Sequence, residues 1–236
     1  MSDPFFEDAA LFSPDVQPLL RDAVTHLCWL LSRGYAPNTA IKIVGDRFSL
    51  ADRQRQAVAR CACSDGHAAG RKKQRAEWPD LAARPLWLDG YNVLTTVEVA
   101  LLGGVLLRGR DGTVRDVAGL HGPQRDGAVT EPALELLARL SRRAGSSEWV
   151  WYFDAPVSKS GRLRTQVEEI GTRAGLKWRV EAIFDPDPVL SATEEIVATA
   201  DSAILDRCKR WFNLASEAVA EIPSAEAILG SDVNRT

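Results

Sequence analysis

An α/β fold is predicted for this 236-residue chain: a parallel sheet between helical layers, preceded by a small all-α segment. Three observations predict it. After Pro85, short apolar runs alternate with amphipathic stretches, the pattern of βαβ units. Four of the five apolar runs end in aspartate. The segment from Arg33 to Arg84 holds 11 Lys plus Arg against 5 Asp plus Glu, a local +6, so the remainder of a −3 chain carries −9. Such an asymmetry reads either as a basic part that meets an anionic partner or as a solvated surface alone. The boundary falls near Arg84, dividing residues 1–84, a small basic helical domain and linker, from residues 85–236.

In the first part, Leu19, Leu20, Ala23, Leu27, Leu30 and Leu31 recur at helical spacing between Val16 and Ser32, and Gly34 follows as a stop. Asn38 is expected to cap a helix over Thr39 to Val44, and Ser49 another over Leu50 to Cys63. Two short helices joined by a turn resemble a helix-turn-helix, with Arg53, Arg55 and Arg60 on the later one, although many helical hairpins bind nothing. Arg71 to Arg75, RKKQR, reads as a solvated helix end or linker that can also hold phosphates.

Cysteines 28, 61, 63 and 208 are too few and scattered for a disulfide framework and are expected as reduced thiols. Cys61, Cys63 and His67 lack both the usual zinc-site spacing and a clear fourth ligand. The acidic N-terminus and the absence of a run of about 18 apolar residues point to a cytoplasmic protein with no membrane partner.

In the second part the strands are expected at Leu86 to Asp89, Glu148 to Asp154, Lys177 to Asp185, Glu194 to Asp201 and Phe212 to Ala215. Helices between them span Val93 to Leu102, Glu131 to Ala144 (capped by Thr130, stopped by Gly145), Ser160 to Ala174 (stopped by Gly175) and Ser202 to Arg210. An insertion near residues 103–120 forms a β-hairpin, Val105 to Leu107 and Thr113 to Val117, turning at Asp111 and Gly112. Trp87, Trp149, Trp151 and Trp178 lie in or beside strands and read as core, and Cys208 reads as a packed thiol.

In a parallel sheet the carboxyl ends of the strands share one edge, so Asp89, Asp154 and Asp201 are expected to gather there. Gathered carboxylates repel and raise one another's pKa unless a cation lies among them. Hard oxygen ligands suit Mg2+ or Mn2+, which keep waters and favour phosphate chemistry. Taken singly, each aspartate reads first as a cap on the helix that follows it; for the set that reading is weaker, because Asp89 in DGYN and Asp154 in DAPVSKSG are set in tight turns.

LWLDGYNVL at Leu86 to Leu94 resembles the first strand and turn of the NYN branch of PIN-like nucleases, and FDAP and TADSAILD resemble that fold's later strand-end acids. With GTVRDVAGLHGPQR, the ordered set is similar to an uncharacterised prokaryotic family that joins a helical domain of unknown function to a PIN-like domain, over about Arg21 to Ala220. The resemblance implies a PIN-like three-layer α/β/α fold with metal held by Asp89, Asp154 and Asp201 and with Asn92 supporting the site. The fourth acid that such nucleases carry has two candidates, Asp187 and Glu98. His121, Arg125, Ser158, Lys159 and Ser202 are expected to contact substrate phosphate. Asp116 either joins the site or pairs with Arg115 or Arg125.

The expected activity is hydrolysis of RNA phosphodiesters by a metal-dependent nuclease. Its competitors are a PIN-like nucleic-acid binding module without catalysis and, against the absence of a second aspartate two residues after Asp89, a phosphatase. A homodimer is compatible with either nucleic-acid reading.

Overall fold

A computed structural model describes residues 4–117, 128–155 and 160–229. The N-terminal part is helical: α1 (Pro4–Leu11), α2 (Gln17–Ser32), α3 (Pro37–Arg47), α4 (Asp52–Cys61) and α5 (Asp65–Gln74). On α2 the residues Leu20, Ala23, Val24, Leu27 and Cys28 form one buried stripe, and Gly34 follows at φ +81°, a left-handed stop that favours glycine. The expected caps are not used. Pro37 opens α3 after an extended Ala36, since its fixed φ suits a first helical position. Ser49 lies in a turn at φ +51°, while the backbone N–H of Ala51 donates to the Gln54 side chain at the start of α4.

These helices enclose a core of Phe12, Leu20, Leu27, Val44 and Val58 that also takes in Leu107, Val117 and Leu229 from far along the chain. The last three belong to or adjoin a small sheet of β2 (Leu106–Arg108), β3 (Val114–Asp116) and β8 (Ala227–Ile228). The expected hairpin therefore forms, turning through Gly112 at φ +80°, with Leu107 opposite Arg115. Its apolar side packs into the helical part, so the core there is completed by chain from beyond Arg84.

The main sheet contains β1 (Pro85–Asp89), β4 (Glu148–Asp154), β5 (Trp178–Ile183), β6 (Ile196–Ala198) and β7 (Arg210–Phe212), all parallel, in the order β5-β4-β1-β6-β7. Alternation along β4 sends Trp149, Trp151 and Phe153 to one face and Val150 and Tyr152 to the other. The first face is covered by α6 (Gly90–Leu101), α7 (Thr130–Ala144), α8 (Ser160–Arg173) and α11 (Leu214–Ala220). Leu190 of α9 (Asp187–Ala192) and Ile204 and Leu205 of α10 (Ser202–Leu205) lie on the second. The result is an α/β/α arrangement with an N-terminal helical region.

The match to expectation is closest where both strand faces are buried, as at β4. The run expected at Phe212 to Ala215 is instead the end of β7 followed by α11, and the helix expected over Ser202 to Arg210 stops at Leu205. β6 ends at Ala198, before Asp201, and DPDPVL yields α9. Thr130 lies inside α7 and its hydroxyl donates to Glu98 Oε1 at 2.6 Å rather than capping. Trp149 and Trp151 are fully buried, Trp87 and Trp178 partly, and Cys208 is packed out of solvent. No helix among the described residues is long and apolar enough to cross a membrane.

Candidate carboxylate centre

From β1 the chain builds outward through β4 to β5, then returns to the other side of β1 for β6 and β7. Connections leaving β1 and β6 thus run in opposite directions, which opens a crevice at their carboxyl ends. Asp89 ends β1 at this place, and Asp201 follows β6.

Short hydrogen bonds tie the two segments together. The Thr199 hydroxyl donates to Asp89 Oδ2 at 2.8 Å and accepts the Asp201 backbone N–H at 3.0 Å. Asn92 Oδ1, in the first turn of α6, accepts the backbone N–H of Ala200 at 2.8 Å. Asp201 Oδ1 accepts the N–H groups of Ala203 and Ile204 at 2.7 and 3.2 Å, so this aspartate does cap α10, as the simpler reading of a strand-aspartate-helix junction requires.

The acids feel one another. Burial pushes the Asp89 carboxyl up to about 7, with the Asp201 and Asp187 charges adding to the rise and the Thr199 hydroxyl opposing it. Asp187 is also raised, by partial burial first and then by the charges of Asp201, Asp185 and Asp154. Asp154 ends β4, and its Oδ1 is buried with no hydrogen-bond partner among the described residues. An unpartnered buried carboxylate oxygen is costly unless a cation or water serves it. Asp89, Asp154, Asp187 and Asp201 therefore share one neighbourhood, whereas Glu98 turns toward Thr130 of α7. Among the described residues no three His, Cys, Asp or Glu side chains stand close enough to coordinate one ion in this arrangement. The oxygen donor set and the Asp154 oxygen that lacks a partner among the described residues have the chemistry that a hard cation takes.

Of the expected substrate contacts, Ser202 lies beside the centre, with its hydroxyl 3.5 Å from Arg115 Nη2 and its carbonyl accepting from Arg71 Nη2 at 3.3 Å. His121, Arg125, Ser158 and Lys159 lie outside the described residues.

Behind the β6–α10 connection sits an ion-pair network that the sequence did not reveal. Asp111, expected as a turn residue, has a buried carboxylate between Arg71 and Arg115. Burial alone would raise its pKa, but the two guanidiniums and the Thr113 hydroxyl hold it well below the usual carboxylate range. Arg71 reaches Asp206 as well, while Arg115 Nε donates to the carbonyl of Ala200 at 2.8 Å. Arg71, read as solvated, is 2% exposed; Lys72 and Lys73 beside it are the exposed members of that run. Arg71 is the member on the inward side of α5, and only its distant partners mark it out.

Two of the three arginines expected on a recognition helix, Arg53 and Arg55, are also engaged internally, whereas the Arg60 Nε is buried without a hydrogen-bond partner among the described residues. Arg53 pairs with Asp8 and donates to the Val117 carbonyl, and Arg55 pairs with Asp46. Cys61 and Cys63 are buried thiols pushed up to about 12 and about 11 by desolvation, and His67 pairs with Asp206.

Residues 79–217 match a domain of unknown function, DUF5616, and residues 19–74 match a protein family of unknown function, DUF434. An uncharacterized protein of Methanocaldococcus jannaschii, MJ0935, is 27% identical over 193 residues, covering 81% of this chain and 92% of that protein. No solved structure matches the chain.

Proposed function

The chain belongs to the family defined by the domain of unknown function DUF5616, and we propose that in it Asp89, Asp154, Asp187 and Asp201 form the centre of a PIN-like, NYN-type nuclease that hydrolyses RNA phosphodiesters with Mg2+ or Mn2+. One observation carries the reading: carboxylates from β1, β4, α9 and the β6–α10 connection gather at the crevice where the strand order reverses, close enough that the charges of their neighbours add to the proton affinity that burial raises at Asp89 and Asp187. Acidic side chains that repel in this way become favourable once a divalent cation joins them.

Such an ion would neutralise phosphate charge and lower the pKa of a bound water. The protein's own groups set the stage for that chemistry. Thr199 holds one oxygen of Asp89, Asn92 fixes the backbone from which Asp201 projects, and Asp154 offers an oxygen with no partner among the described residues. Asp187 supplies the fourth acid from the start of α9, in place of the longer helix that ordinary PIN-like nucleases use. Purified protein should cleave labelled RNA with Mn2+ or Mg2+, and Asp89→Asn should abolish cleavage with the fold intact. Undiminished cleavage by that variant overturns the assignment.

A nucleic-acid binding module without turnover is the second reading, favoured by the spacing of the acids, no three of which are gathered as they stand. RNA binding that persists in EDTA and falls steeply with salt, without cleavage, selects it. Under either reading Lys72 and Lys73 are the exposed cations of the RKKQR run, and a cytoplasmic location suits the unpaired buried thiols.

A further inference from the structure

Among the described residues β5 is an outer strand of the main sheet, paired with β4 on one side and with no strand on the other. The Trp149 N–H donates to the Lys177 carbonyl and the Ala155 N–H to the Ile183 carbonyl, both at 2.9 Å. In the parallel register between these bonds, residues 179 and 181 also direct their backbone groups to β4. Trp178, Val180 and Ala182 therefore turn theirs outward along the edge. Two residues apart on one face stand a cation and an anion, Arg179 and Glu181, which pair with each other along the strand while Arg179 also reaches Glu148 of β4, with side chains 49% and 37% exposed. Just past the strand, Phe184 is 82% exposed.

We infer that the chain forms a homodimer by antiparallel pairing of β5 with β5 of a second copy, centred on Val180. Antiparallel neighbours that exchange hydrogen bonds must both turn their backbone groups outward, so Val180 can oppose Trp178, Val180 or Ala182 of the other copy. Opposite Trp178, the register sets Arg179 against Arg179 between two Lys177–Glu181 contacts; opposite Ala182, it sets Glu181 against Glu181. Each of these registers carries a like-charge contact on the two-fold axis. With Val180 opposite itself, Arg179 meets Glu181 twice, once on each side of the two-fold axis, in the closely spaced pairs where side chains approach most. That register also places exposed Phe184 opposite the half-buried Leu176. A single charge on an edge strand deters pairing with another copy; opposite charges two residues apart select one register for it instead.

Sedimentation equilibrium of the full chain up to about 100 µM tests this, in the range where a modest interface associates. The wild type should be a dimer. Arg179→Glu alone and Glu181→Arg alone should each weaken it by about tenfold, because each puts like charges at both symmetric contacts. The double variant should regain wild-type association, and Phe184→Ser should weaken it with no change of charge. Both charged side chains are exposed, and circular dichroism checks that each variant folds. A monomeric wild type, a dimer indifferent to the single reversals, or a double variant that stays monomeric overturns the proposal.

Discussion

Thr199 donates its hydroxyl to Asp89 across neighbouring strands at 2.8 Å, and the same oxygen accepts the Asp201 backbone N–H. One short side chain thus opposes the rise in proton affinity that burial gives the first aspartate and holds the backbone of the second.

Replacing it with a near-isostere isolates that role. Thr199→Val removes the donor that opposes the raised pKa of Asp89, so the carboxyl should titrate at higher pH than in the wild type. Carboxyl NMR titration reads the shift, and chemical denaturation should show a loss of about 1 kcal/mol. An unmoved Asp89 would mean that the bond does not persist in solution.

Asp89 also makes stability depend on pH. Its folded value, about 7, lies above that of an unfolded aspartate, roughly 3.9, so the folded state binds the extra proton. This contribution is fully present below the unfolded value and is lost as pH rises through about 7. Without metal, Asp89→Asn should therefore gain on the wild type between pH 5 and 8, in steps of about one pH unit followed by thermal denaturation. Mn2+ competes with that proton, and its stabilisation of the wild type should be larger at the alkaline end. Stabilisation that is flat with pH would place the ion elsewhere.

The arginine network should be far less tolerant than its charged neighbours. Arg71→Met leaves the buried Asp111 and the partly buried Asp206 without a shared partner, and should destabilise by about 3–5 kcal/mol. Lys72→Met and Lys73→Met, at exposed positions of the same helix, should stay within about 0.5 kcal/mol. Urea denaturation of the three variants separates them, and equal effects would refute the buried role of Arg71.

Gly90 admits no side chain. A Cβ there would lie 2.5 Å from the Phe153 ring, so Gly90→Ala must push apart the start of α6 and the end of β4. A loss of about 1–3 kcal/mol is expected, together with a displaced Asp89 and weaker Mn2+ binding by calorimetry. Gly161→Ala, where no described residue lies within 4 Å, is the control.

The layered fold and the place of Asp89 and Asp154 were legible because their determinants are local. β4 buries both faces, so its run of apolar residues has nearly no competing reading, and the aspartate that ends it needs only the parallel sense of the sheet to reach the crevice. Gly34, Gly145 and Gly175 stop helices at positive φ for the same local reason. Boundaries were less legible where several residues could cap, as at Ser49 and Thr130, because a cap is chosen by what the neighbouring backbone needs.

What tertiary structure alone decided is how charges are paired. Arg71 meets Asp111 and Asp206 across 40 and 135 residues of chain, and Arg53 meets Asp8 across 45. No periodicity within a helix distinguishes such an arginine from a solvated one, since its burial depends on acids supplied by other elements. The sequence by itself determined where β1 and β4 lie and the aspartates that end them, the approximate places of β5 and β6, and how the chain divides its charge. Only the fold decided which cations were left for a partner, because a charge leaves water only when a distant opposite charge is brought to meet it.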